Sequence, residues 1–192
     1  MILTIRLFLV ASGLALVTMS SSASEALKGT IWETANLHGV PIELLYAVAL
    51  QESRLLSRGL ARPDPYVIRD GATIYRPKTF HEAREILSEL LVEGRVDERL
   101  RQIDVGMLQI NLYWHKHRIE EFDELLIPAI NIAIGSEILS EALNSSASSI
   151  EIQVGRYHSW TPDLARNYGK SVIGMACGIG WSNATCGGVG RE

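Results

Sequence analysis

Surplus positive charge is missing from this chain. Its 18 Lys and Arg face 22 Asp and Glu, giving a formal net charge of -4 with no basic run. The electrostatic footprint of a nucleic-acid-binding protein is therefore absent, and no nucleic-acid partner is expected. Neither a phosphate-cradling glycine loop nor a dinucleotide fingerprint occurs. No Gly-x-Ser-x-Gly elbow presents a serine as nucleophile. The five histidines, His38, His81, His115, His117 and His158, form no H-E-x-x-H pair. His115 and His117 lie two apart, so a helix would point them to different faces. Cysteine is down to Cys177 and Cys186, too few for a closed zinc site, which wants four ligands. No metal and no cofactor is expected. Carboxylate chemistry is what remains.

At 192 residues, 47% hydrophobic and 21% charged, the chain has the size and composition of one well-cored domain. Internal repeats and linker-like stretches are absent. The N-terminus "MILTIRLFLVASGLALVTMSSSAS" places Arg6 before an apolar run from Leu7 to Met19. Ser21-Ser22-Ala23 then suit cleavage before Ser24, the pattern of a secretory signal peptide over residues 1–23. Its apolar run is shorter than the ~20 residues of a membrane span, although an uncleaved anchor is the alternative. Cleavage would remove Arg6, take the charge from -4 to -5 and leave no stable membrane span. A cysteine pair in an exported chain, close in sequence and set among glycines in "GMACGIGWSNATCGGVG", reads as a disulfide closing a small loop. The alternative is two free thiols in a frayed tail.

Most of the rest reads as helix. Leu27, Ile31, Trp32, Ala35 and Leu37 recur at near-helical spacing over 25–38, with Gly39 to close the helix. Pro41 then opens "PIELLYAVALQESR", apolar on nearly every face and so predicted to be central to the core. Residues 64–76 change character. Tyr66, Val67 and Ile68 face Thr73, Ile74 and Tyr75 across Asp70-Gly71, a two-residue hairpin signal. Thr79 with Glu82 forms a capping-box pattern for a helix that Gly94 ends. Ser148 with Glu151 repeats the pattern before residues 149–158. A further apolar helix covers 128–143, where Gly135 is expected to permit a close helix contact. Thr161-Pro162-Asp163 opens a last helix that Gly174 can terminate. The fold class is mainly α with one small inserted β-hairpin.

Three stretches could carry chemistry. "AVALQESRLL" ends a buried-looking helix on Glu52. An acid at a helix C-terminus meets the negative end of the dipole, and apolar Val48 and Leu55 add desolvation. Both favour a retained proton, as a general acid needs. Alone, such a glutamate is usually just a solvated helix end. "DVGMLQIN", residues 104–111, sets Gly106 and the amides of Gln109 and Asn111 among Met107, Leu108 and Ile110. Amides in an apolar wall suit a neutral ligand rich in hydroxyl and acetamide groups, such as a sugar; a turn entering a helix is the plainer reading. "VGRYHSW" offers the Tyr157 hydroxyl and the flat face of Trp160.

Taken in order, "ALQESRL", "DVGMLQIN", "NIAIGSEIL" and "VGRYHSWTPDLARNYGKSVI" resemble the soluble lytic transglycosylases (the SLT domain), whose fold is similar to goose-type lysozyme. The hairpin and "YRPKTFHEAREILSELLVEG" look like the branch associated with conjugation and type IV secretion systems. The resemblance covers roughly residues 30–174. It implies a lysozyme-like transglycosylase domain over 24–174, followed by a Gly-rich tail, 175–192, holding the cysteines. Glu52 matches the family's catalytic acid/base and Ser53 the adjacent serine that steadies it. Gln109 matches the cleft glutamine of the G-L-M-Q-I motif, Asn111 lies beside it as a further substrate contact, and Tyr157 matches the tyrosine near the glutamate. Two departures stand out: Met-Leu replaces the common Leu-Met, and Tyr-His-Ser replaces Tyr-Asn, which leaves the role of His158 open.

The implied activity is cleavage of the β-1,4 bond between N-acetylmuramic acid and N-acetylglucosamine in peptidoglycan, without water, to give a 1,6-anhydro product. Implied partners are peptidoglycan strands and components of a conjugation or type IV secretion machine; the implied location is the periplasm. Ordinary glycoside hydrolysis needs two carboxylates, and a hydrolysing muramidase with Asp104 as the second is the runner-up. Asp104 precedes Gly106 and can equally cap a turn. A non-catalytic peptidoglycan-binding assembly protein is the rival from another class.

Overall fold

The computed structural model describes residues 31–57, 59–92 and 97–188. The expected signal peptide, the start of the first helix, Gly94 and residues 189–192 lie outside these. Among the described residues the fold is mostly helical, with a two-stranded and a four-stranded sheet.

Helix α1 covers residues 31–37 and is closed by Gly39 at φ +64°, as expected, with Val40 N–H bonded to the Ala35 carbonyl. Helix α2, Ile42–Ser53, buries Leu44, Leu45, Ala47, Val48, Ala49 and Leu50 and forms the centre of the core. It stops one residue short of the expected Arg54. Ser53, fully buried, donates its hydroxyl to the Ala49 carbonyl at 2.9 Å and accepts the Asp64 N–H at 3.1 Å. The chain therefore turns at Ser53 into a ribbon that the hydrophobic pattern does not announce, β1 (Arg54–Ser57) against β2 (Leu60–Pro63).

The expected hairpin is present as β3 (Ile68–Asp70) and β4 (Thr73–Tyr75). Asp70 pairs with Thr73, so Gly71 and Ala72 make the turn, one residue later than read from the sequence. The hairpin does not stand alone. Two further short strands, β5 (Ile103–Val105) and β6 (Ile110–Asn111), extend it to the order β4-β3-β5-β6. The "DVGMLQIN" stretch is thus two strands joined by a tight loop rather than a turn entering a helix.

Alternation across this sheet decides what reaches the surface. Ile68, Val105 and Ile110 lie in one register row and are buried. The neighbouring row runs Ile74, Arg69, Asp104, Asn111 across the four strands. One row closes the core; the other lines a polar face.

Helix α3, Phe80–Val92, starts where expected, with Thr79 accepting the Glu82 N–H at 3.2 Å. Glu82 reaches back to the N–H of Lys78 rather than of Thr79. Short helices α4 (Asp97–Leu100) and α5 (Leu112–His115) flank the sheet, and α6 runs Pro128–Leu143. Gly135 does allow a close contact there, but with a loop: a Cβ on it would lie 2.3 Å from the Leu108 side chain. Helix α7 (Ile150–Gly155) is capped by Ser149, not Ser148, and α8 (Pro162–Gly178) runs through Gly174. Helices α7 and α8 meet backbone to backbone. A Cβ on Gly155 would lie 1.7 Å from the Ala165 carbonyl oxygen, and one on Gly169 would lie 1.9 Å from that of Glu151. Helix α7 is thereby held against the first half of α8.

Cys177, on the last turn of α8, is bonded to Cys186 with Cα atoms 5.5 Å apart, and no free cysteine occurs among the described residues. Part of the expected tail is therefore helix tied to a closing turn.

Candidate active site

Glu52 occupies the last turn of α2, where the chain leaves the core. From α8 the Tyr168 hydroxyl donates to its Oε1 at 2.5 Å. One turn on, Ser171 donates to Gln51 at 2.8 Å, so α8 grips the end of α2 at two successive residues. Burial pushes the Glu52 carboxyl up to about 7; the Tyr168 hydrogen bond opposes this, the Asp104 charge adds to it and the Arg69 charge opposes it. A carboxyl that titrates near neutrality can both give and take a proton at physiological pH.

Two phenols lie within the electrostatic reach of this acid, and Tyr168 bonds it directly. Tyr168 and Tyr157 both lie well above the ordinary tyrosine range, through burial and then the Glu52 charge, so both stay protonated donors. Tyr157 points its hydroxyl at the Leu108 carbonyl, 2.7 Å away, and so joins the α7–α8 connection to the β5–β6 loop. His158 stacks on Tyr168 with ring centroids 4.9 Å apart and planes within 3°. The departure from Tyr-Asn noted in the sequence thus puts an imidazole against the phenol that touches Glu52.

The polar row of the sheet brings Asp104 and Arg69 within electrostatic reach of the same acid. Asp104 is pushed upward by burial, while a hydrogen bond from Asn111 and the charges of Arg69 and His158 hold it down. The Asn111 amide donates to Asp104 at 2.8 Å and to the Arg101 carbonyl at 3.0 Å. Its oxygen accepts the N–H groups of Tyr113 and Trp114, capping α5. Asn111 is therefore fully engaged within the protein and acts on the site through Asp104.

Gln109 is the one non-glycine residue with positive φ among those described, at +45°. Its Nε2 donates to the Gly106 carbonyl at 2.9 Å and the Val67 carbonyl at 3.3 Å, while its buried Oε1 has no partner. A buried acceptor left unpaired costs ~1–3 kcal/mol, which makes Gln109 the strained point of the loop. Gly106, at φ +80°, turns the loop so tightly that a Cβ would lie 2.2 Å from Asn131 Nδ2. Fully buried Asn131 donates to the Val105 and Leu125 carbonyls and accepts the Leu108 N–H, all within 3.0 Å. One side chain from α6 thus holds the loop that carries the Tyr157 acceptor.

The structure brings Glu52, Tyr157 and Asp104 together. It places Ser53 beside them but turned inward to Ala49 and Asp64, so its link to Glu52 is through the backbone. Sequence reading gave no role to Tyr168, Arg69 or Asn131. The strand register linking Arg69 to Asp104 and the α2–α8 packing have no local signature. A cavity of about 620 Å³ lined by residues such as Arg84, Leu87, Lys116 and Phe122 lies elsewhere, and none of the Glu52 neighbours lines it.

Among the described residues no group of three His, Cys, Asp or Glu is placed to hold a metal ion, and no helix is long and apolar enough to cross a membrane. Comparison with protein-family models, curated proteins and solved structures gives no match.

Proposed function

We propose that this chain is a peptidoglycan lytic transglycosylase with a lysozyme-like fold and Glu52 as its single acid/base. The observation that carries the reading is the Glu52 carboxyl, raised to about 7 and held by the Tyr168 hydroxyl at 2.5 Å. Protonated Glu52 gives its proton to the glycosidic oxygen between N-acetylmuramic acid and N-acetylglucosamine. The C1–O bond breaks, and positive charge develops on C1 and the ring oxygen. Carboxylate Glu52 then takes the proton from the C6 hydroxyl of the same muramic sugar as that oxygen closes on C1. The product is the 1,6-anhydro sugar, no water is consumed, and Glu52 is returned to its acid form. An attacking oxygen already on the substrate has the advantage of an intramolecular reaction. A pKa near 7 suits a group that must act in both directions. Tyr168 stabilises the carboxylate stage, and Asp104 offers negative charge towards the developing cation.

The motif order and the sequence start support export to the periplasm, action on glycan strands, and service to a conjugation or type IV secretion machine. A second reading is favoured by the charge coupling of Asp104 to Glu52. A hydrolysing muramidase would use Asp104 as the second carboxylate, helped by the Asn111 hydrogen bond that favours its ionised form. Mass spectrometry of digested sacculi separates the two. Anhydro ends at the released muramic residues support the transglycosylase; reducing ends support the hydrolase. A chain that binds sacculi and releases nothing is a scaffold, and the acid/base assignment then fails.

A further inference from the structure

Arg69 is the cation of the sheet wall. It lies in the β3 position paired with Ile74 on one side and Asp104 on the other. Its strand neighbours, Ile68 in the core and Asp70 bonded to Arg99 at 2.6 Å, lie in the adjacent rows and face the other way. Arg69 is half-buried, and its side chain makes no hydrogen bond or ion pair with any described residue. Its charge nevertheless acts on both Glu52 and Asp104, which fixes the side of the sheet it serves.

Arg76, just past β4, and Arg99, which reaches the end of β3, are by contrast engaged. Arg76 binds Asp64, and Arg99 binds Asp70 in a forked pair. A guanidinium has five donors in a planar fork that matches a carboxylate. Holding one partly desolvated without a protein acceptor, in the strand position beside Asp104 and within reach of the Glu52 charge, makes sense where the acceptor arrives with the ligand. Asp104 is the adjacent carboxylate, yet its hydrogen bond comes from Asn111 and not from Arg69.

We infer that Arg69 binds a carboxylate carried by a ligand seated at Glu52 and Asp104, and that this contact selects acidic glycans over neutral ones. The inference rests on the glycan reading of the site. In muramic sugars such a carboxylate sits on the lactyl arm, or on the peptide attached to it. Neutralising Arg69 in this way also relieves its downward pull on Glu52, so the acid holds its proton more firmly once the correct ligand is seated.

Binding is measured by calorimetry with the full chain carrying Glu52→Gln, so that ligands stay intact. Three soluble oligosaccharides of equal length serve as probes: N-acetylglucosamine units alone, muramic units with a free lactyl carboxylate, and muramic units bearing stem peptide. Arg69→Gln is expected to weaken the carboxylate-bearing ligand about ten- to a hundredfold and to leave the neutral oligosaccharide within about twofold. Arg69→Lys, which keeps the charge without the fork, is expected to recover part of the loss. Loss with the lactyl probe assigns the contact to the sugar arm; loss confined to the third probe assigns it to the peptide. Equal weakening of all three ligands, or no preference for carboxylates before mutation, overturns the inference. A chain that prefers carboxylated glycan through Arg69 yet cleaves no sacculi refutes the enzyme reading and leaves this one standing.

Discussion

Tyr168 and Glu52 are 116 residues apart in the chain, yet the phenol donates to the carboxylate at 2.5 Å. Burial raises the acid while this bond lowers it, so the pair sets the value near 7 between two opposed effects. Tyr168→Phe removes the lowering part alone. The alkaline limb of kcat/KM is expected to move above 7, with activity about ten- to a hundredfold lower from the lost charge-assisted bond. A pH–rate profile on soluble glycan checks both; an unmoved limb would detach Tyr168 from catalysis.

Glu52→Gln is expected to lower glycan release about 10²–10⁴-fold, the usual worth of a positioned acid/base. It also has a stability signature. The folded carboxyl titrates at about 7 against an ordinary glutamate value of 4.5, so the native state binds more protons than the unfolded chain between these values. Stability is fully present below 4.5 and falls as pH rises to about 7. At pH 8 the buried charge costs at most about 3 kcal/mol. The Gln variant is therefore expected to melt higher than wild type at pH 8 and level with it near pH 4. Thermal unfolding at the two pH values reads the difference.

His158 lies flat against the ring of Tyr168, so on the proposed reading its effect on the rate runs through that phenol. His158→Ala is expected to lower kcat severalfold while changing KM little, because the phenol loses the surface that orients it. His158→Phe keeps a stacked ring and is expected to restore most of the rate. If Phe fails where His works, the imidazole contributes by its charge on Asp104 rather than by stacking.

The β5–β6 loop depends on one amide. Asn131→Leu would orphan the Leu108 N–H and two buried carbonyls, for an expected loss of about 2–4 kcal/mol in chemical denaturation. Gly106→Ala forces the same amide aside and strains a positive φ, so it is expected to cost a similar amount. The two losses should not add, since both break one arrangement.

Much of this was open to reading along the chain. The all-round apolar pattern of "PIELLYAVAL" marked the central helix, Gly39 and Thr79 marked helix ends, and the near pair of cysteines marked the bond that closes α8. Glu52 stood out because a buried run ended on an acid. Those signals are local: periodicity, caps and short spacings act within a few residues. The strands β1, β2, β5 and β6 escaped because two to four residues carry too little alternation to count. The pairing that Ser53, Asn111 and Gln109 supply to backbone groups around them has no local signature either, because the groups they bond are set by the fold. Local pattern along the chain was enough to mark the main helices, the β3–β4 hairpin and the acid that ends α2. Tertiary structure alone decided what the acid meets, Tyr168 from α8 and the Arg69–Asp104 row from the sheet, because only packing removes water from between residues so distant in the chain.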